Sequence, residues 1–286
     1  MVNVIEHKQI ILVPFHEYET DAIDPAIQYV SKFSEGENLM VKGVNVAMNL
    51  QGEDFMYSHS EIMAPFYLSS EFEDIEAKIT EHRNRVEKSF YMNIAKAGIE
   101  NFTFSTVLGF PEHEIGEQGR LSDLIVLKQC TGSFYYQGIL HGALFGSRKP
   151  VILIPRKNEY ETTHDRVLIA WNGSVESSSA LKAALPYLGQ SKVWVLHEKE
   201  NGKDNENLGG KDVIEYLKFH GISAEYIAGT KKPASVASSI IEVSKTLNVD
   251  LVVMGAWGHS RLGEYILGGV TDYMIRNSDV PLFLAH

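Results

Sequence analysis

The residues with the most chemical promise lie between Asp250 and Thr271. An apolar run, Leu251–Met254, reads as a buried strand. Gly255 ends it, Gly258 follows after two residues, and Gly268 and Gly269 follow after nine more. Val270–Asn277 then reads as a short helix, with Val270, Met274 and Asn277 at helical spacing. Strand, glycine loop and helix start suit a phosphate. Glycine lets backbone approach an anion closely, and a helix start offers N–H groups at the positive end of its dipole. No Lys-Ser/Thr follows the glycines, so this is not a P-loop, and no G-x-G-x-x-G is present. Strand-to-helix turns in any α/β protein also use glycines, so spacing alone leaves both readings open. Arg261 is placed to fork onto a phosphate, to point to solvent, or to pair with an acid such as Glu264. Trp257 is placed to stack on a ligand or on the other half of the chain.

Two further segments belong with this loop if the strands are parallel, because open α/β sheets bind ligands beyond the carboxyl ends of their strands. One is Ala170-Trp171-Asn172-Gly173-Ser174, and the other is Leu196-His197-Glu198. Asn172-Gly173-Ser174 also reads as a turn and helix cap, and His197 as a structural histidine. No catalytic set emerges. The serines and 11 histidines form no motif-supported nucleophile–base pair. Cys130 has only Lys128 as a nearby cation and reads as an inert thiol. No His/Cys/Asp grouping has zinc spacing.

The scaffold that must hold these residues is legible from composition and rhythm. The chain has 286 residues, a length that favours two domains. Hydrophobic content of 44% and charged content of 22% are ordinary for a globular protein. A formal net charge of -11 argues against a nucleic-acid or anionic-membrane surface. The single cysteine allows no intrachain disulfide, no 18-residue apolar run is present, and the N-terminus lacks a signal-peptide pattern. A cytoplasmic location is the expectation.

In chain order, His7–Phe15, Leu39–Met48, Phe102–Val107, Asp123–Leu127 and Pro150–Pro155 read as strands. Asp21–Phe33 and Phe72–Ala97 read as helices between them, the second closed by Gly98. His113–Gln118 reads as a helical turn, and His141-Gly142-Ala143 as a helix start. The irregular insertion at 49–73 reads as a surface flap, with a lid or partner surface as the alternative. Arg156–Asp165 is polar and reads as a linker. The second half repeats the first, with strands at Arg166–Trp171, Val193–His197, Ser223–Ile227, Leu251–Met254 and Pro281–Ala285. Ser122–Leu127 parallels Val249–Met254, and Lys149–Ile154 parallels Val280–Ala285. Alternating strands and helices imply doubly wound sheets with helices on both faces.

G-x2-G-x9-G after an apolar strand, followed by a helix and Val280-Pro281-Leu282-Phe283-Leu284, resembles the universal stress protein family. The duplication makes the whole chain similar to a tandem member. The resemblance implies two α/β domains, 1–156 and 163–286, each a five-stranded, mostly parallel sheet, joined through Val151–Ile154 and Leu282–Ala285. It implies ATP or a related adenine nucleotide, with Mg as a possible companion, on Ala170, Asn172, His197, Met254, Gly255, Gly258, Arg261, Gly268, Gly269, Val270 and Thr271. Gly269 stands where the nucleotide-binding branch has Ser or Thr, and Asn172 where it has Asp. Thr271 is a candidate replacement for the missing hydroxyl. The first half has Phe15-His16-Glu17 and a Phe134-Tyr135-Tyr136 cluster in place of these elements, and no nucleotide is expected there. The function implied is a stress-response sensor or regulator acting through protein partners, with intramolecular domain pairing and a possible homodimer. A scaffold without nucleotide is the alternative, and a slow ATPase a more distant one.

Overall fold

A computed structural model describes residues 8–15, 24–32, 38–47, 72–129, 134–155, 164–197, 209–229, 236–256 and 269–286. The 49–73 insertion, apart from its last two residues, and most of the 156–165 linker lie outside them. The chain forms two compact units, Met1–Asp123 with Gly132–Ser147, and Leu124–Thr131 with Arg148–His286.

In the first unit, β1 (Gln9–Phe15) pairs in parallel with β2 (Leu39–Ala47), and β2 with β3 (Phe102–Leu108). Ile11, Leu12 and Val13 are fully buried, as expected of a strand covered on both faces. α1 (Pro25–Ser31) starts on Asp24, whose Oδ1 accepts the Ala26 N–H at 2.8 Å, with Pro25 at the first helical position. α2 (Phe72–Ala97) ends at Gly98, whose φ of 67° suits glycine. α2 lies on one face of β2, where a Cβ on Gly43 would sit 2.4 Å from the Phe90 ring. α3 (Pro111–Gly119) lies on the other, where Lys42 Nζ donates to the Gln118 carbonyl at 3.3 Å.

Two helices differ from the sequence expectation. The thin pattern at 113–118 is a full helix, α3, whose buried residues are Pro111, Ile115, Gly116 and Gly119. Glycine contributes contact without an apolar side chain, so it leaves no hydrophobic stripe to read. A Cβ on Gly116 would lie 3.0 Å from Gly146, and one on Gly142 would lie 2.3 Å from the Glu112 carbonyl. His141 closes a helix, α4 (Phe134–His141), instead of opening one, and Gly142–Gly146 continue it as a π-helical turn.

The second unit orders its strands β4-β5-β10-β9-β6-β7-β8. These are β4 (Leu124–Lys128), β5 (Val151–Ile154), β6 (Arg166–Trp171), β7 (Lys192–His197), β8 (Ala224–Ala228), β9 (Leu251–Gly255) and β10 (Leu282–Ala285). All pairs are parallel except β5 with β10, where Leu282 faces Leu153 and Leu284 faces Val151. This pairing places β4 and β5 with the second unit, so the division of the chain falls ahead of the linker. The helices are α5 (Val175–Ala184), α6 (Gly210–Phe219), α7 (Val236–Thr246) and α8 (Gly269–Asn277). Buried Gln129, just after β4, donates from Nε2 to the Ile275 carbonyl near the end of α8. The fold is therefore α/β, with a large, mostly parallel sheet. Among the described residues, no helix is long and apolar enough to cross a membrane.

The internal repeat has a physical counterpart. Asp123, before β4, accepts the Ile10 N–H on Oδ2 at 2.8 Å. Asp250, before β9, accepts the Asp165 and Arg166 N–H groups at 2.8 and 3.1 Å. At both places a carboxylate one residue ahead of a strand satisfies backbone donors at the start of an earlier stretch. Asp250 is 8% exposed, so Asp250→Ala leaves those donors without their carboxylate and should cost ~1–3 kcal/mol in urea unfolding. An unchanged midpoint would show the contact to be idle.

His164 precedes this latch, is 7% exposed, and has φ of 52°. Burial lowers its pKa from 6.5 to about 4, partly opposed by Asp165. The unfolded chain therefore takes up a proton that the folded one resists. His164's contribution should be fully present above pH 6.5 and fall away as pH drops toward 4, by up to ~3 kcal/mol. His164→Asn keeps a residue type that tolerates this backbone. Chemical unfolding from pH 7 to 4 should fall less steeply in the variant, and parallel curves would contradict the assignment.

Candidate functional site

The carboxyl ends of β6, β7 and β9 lie side by side, with Ala170 opposite Met254 and Trp171 opposite His197. β6 leads into Asn172, whose Oδ1 accepts the Ser174 N–H at 3.1 Å, and into Gly173, with φ of 76°. Ser174 caps α5 through Oγ, which accepts the Ser177 N–H at 3.1 Å, and Glu176 sits in the first turn. The acceptor of Asn172 is thus engaged in its own turn.

β9 ends against this cap. A Cβ on Gly255 would lie 2.6 Å from Ser177 N and 2.7 Å from Glu176 C. Both are backbone atoms, so only glycine lets the end of β9 meet the first turn of α5. Met254, before it, is buried. Ala256 donates its N–H to the Ala285 carbonyl at 2.8 Å, and its own carbonyl lies 3.0 Å from His286 Nδ1. These contacts fix the backbone at the end of β9. Gly258, Arg261 and Gly268 lie outside the described residues, as do Trp257 and Glu264.

The chain returns at α8. Gly269 is exposed, and a Cβ placed on it would meet nothing within 4 Å among the described residues. Val270 is half-buried and Thr271 is 4% exposed. Asp272 in the first turn is paired with Arg276 at 2.9 Å. Gly269 therefore has room for a larger side chain, whereas Gly255 has none.

His197 ends β7 and is 7% exposed. Its Nδ1 lies 3.5 Å from the Tyr226 hydroxyl, and the rings stand 6.3 Å apart. A Cβ on Gly210, at the start of α6, would sit 2.1 Å from the Tyr226 ring and 3.3 Å from His197 Cβ. Sequence reading missed Gly210 and Tyr226, because the contact joins segments far apart in the chain. The Gly209-Gly210 pair was the available signal. Among the described residues, no group of three His, Cys, Asp or Glu is placed to hold a metal ion.

The structure thus brings Ala170, Asn172, His197, Met254 and Gly255 to one end of one sheet. It places Gly269, Val270 and Thr271 at a helix start that follows the last of those strands. A helix start offers N–H groups that its own turns leave unused, so the arrangement suits an anion without requiring a basic side chain. Gly255→Ala should lower stability by ~1–3 kcal/mol, the range for overpacking, because strand end and helix cap must separate. Urea unfolding reads this directly, and a neutral result would show that the turn yields.

Comparison with known proteins places this geometry. Residues 163–286 match the universal stress protein family. A universal stress protein of Synechocystis is 25% identical over 253 residues, covering 82% of each chain. A universal stress protein structure from Archaeoglobus fulgidus superposes with a TM-score of 0.69 at 20% identity, covering 96% of this chain and 97% of that one. A putative universal stress protein from Pseudomonas aeruginosa superposes with a TM-score of 0.54 at 12% identity, covering 97% and 93%. At these identities the structural likeness speaks for the fold alone.

Proposed function

We propose that this chain is a tandem pair of universal stress protein domains whose second member binds an adenine nucleotide of the ATP class. Phosphates would rest on the N–H groups at the start of α8 and on the 257–268 glycine loop, with Arg261 as a charged partner. The nucleoside would lie toward Asn172 and His197, at the ends of β6 and β7. Mg would accompany the phosphates. The molecule would act as a stress sensor whose bound state is read by protein partners in the cytoplasm.

The observation that carries this reading is the close approach at Gly255. It sets the end of β9 against the cap of α5, so the loop leaves the sheet beside the turn at Asn172. The second reading, a scaffold without nucleotide, draws on the same residues. Gly255 has a packing reason, and Asn172 Oδ1 is engaged by its own turn.

Small molecules released from the denatured, purified protein and analysed by mass spectrometry separate the two. Near-stoichiometric ATP, ADP or AMP supports the nucleotide reading. An empty protein whose melting temperature is unmoved by ATP favours the scaffold. Gly269→Ser supplies a hydroxyl where space is open. One added hydrogen bond to a charged oxygen should tighten ATP binding about tenfold or more. An unchanged Kd would place the phosphates elsewhere.

A further inference from the structure

α2 carries a cation on its buried stripe. Val86, Phe90 and Ile94 are buried there, and Arg83 stands three residues before Val86 and seven before Phe90, at helical spacing. Arg83 is half-buried, and its Nε is buried with no hydrogen-bond partner among the described residues. On β2, the strand that α2 covers, Asn45 is 1% exposed and its Oδ1 also lacks a hydrogen-bond partner among the described residues. Both residues belong to the first unit.

Register brings the two together. Gly43 faces Phe90, since a Cβ there would sit 2.4 Å from the ring. Asn45 lies on the same face two residues on, roughly 6.6 Å further along β2. α2 runs back against the direction of β2, because it links two parallel strands. The matching step along the helix, about 6 Å per four residues, leads from Phe90 to Val86 and on toward Arg83. Asn45 thus lies across from the turn that begins with Arg83.

Buried polar atoms nearly always have a partner, and one without calls for an ion, water or ligand. Here a cationic donor and a neutral acceptor share one layer. The complementary guest accepts a hydrogen bond from a guanidinium and donates one to an amide oxygen. We propose that Arg83 and Asn45 form a binding site inside the first unit for a small oxyanion that keeps a protonated oxygen, of the inorganic phosphate or phosphomonoester kind. The anionic oxygens meet the guanidinium in the geometry that arginine favours, and the P–OH donates to Asn45 Oδ1. The exposed part of Arg83 gives the guest a way in. The site is independent of the nucleotide reading, which concerns the other unit.

The test is thermal unfolding of the full chain in inorganic phosphate against chloride at matched ionic strength, with glycerol phosphate as a parallel arm. Wild type should show a saturable rise of a few degrees in phosphate. A rise in both arms points to a site open to phosphomonoesters, and a rise in phosphate alone to the free ion. Arg83→Met should remove most of the rise. Asn45→Asp should also remove it, because its carboxylate occupies the guanidinium from within, and it should melt no lower than wild type in chloride. No rise in wild type in either arm overturns the proposal and leaves bridging water as the guest. A full rise in Arg83→Met overturns it by assigning phosphate elsewhere. Should Arg83→Met fail to fold, Asn45→Asp decides: melting well below wild type shows that the two side chains do not meet.

Discussion

The second unit depends on one antiparallel ladder in an otherwise parallel sheet. β5 and β10 are short, four residues each, and fully buried or nearly so. Every other pairing joins strands of the same direction, each needing a helical crossover to return the chain. The β5–β10 ladder needs none, because it joins the closing strands of two similar β/α runs. It gives both strands their second hydrogen-bonding neighbour. Without it, two apolar edges of the kind that template aggregation would face solvent. The interior position of these strands in the sheet order explains their near-continuous apolar sequences, V-I-L-I and L-F-L-A.

Carboxylate latches add a second, local constraint. Asp123 and Asp250 each stand one residue before a buried strand and hold the start of an earlier one. The cost of burying the Asp250 charge is offset by backbone donors that also need a partner. Above them, at the opposite ends of the strands, the candidate site is built mainly from backbone: a turn, a cap, a close glycine contact and a helix start. Backbone geometry, rather than side-chain charge, shapes that end of the sheet.

Strands and long helices were readable from sequence because apolar periodicity is produced by the burial that forms them. α2 was legible over its full length, since Phe90 and Ile94 mark its stripe and Gly98 its end. α3 was nearly invisible, because its contacts run through Gly116 and Gly119, and a glycine in a sequence signals a turn sooner than a packed helix. The candidate site was legible as a set of strand ends. Its particular contacts were not. That Gly255 abuts α5, or that Tyr226 meets His197 beside Gly210, depends on how distant segments cross, and no local pattern encodes it. The same holds for Arg83, which reads from sequence as one more charge on a long helix until the face it occupies is known.

Gln129 lies before the linker, yet its side chain serves the carbonyl of Ile275 near the last turn of α8. β5, also from before the linker, completes the edge of β10. The stretch that matches the family begins after both. A fragment cut at the linker would lose a helix-end donor and uncover a row of backbone groups on an apolar strand. Such an edge finds relief by borrowing the same strand from a second molecule, in the manner of an exchanged element. Proteolysis or gene splitting at this point would thus not release a smaller version of the protein. It would turn a chain that completes its own sheet into one that must find another copy to do so.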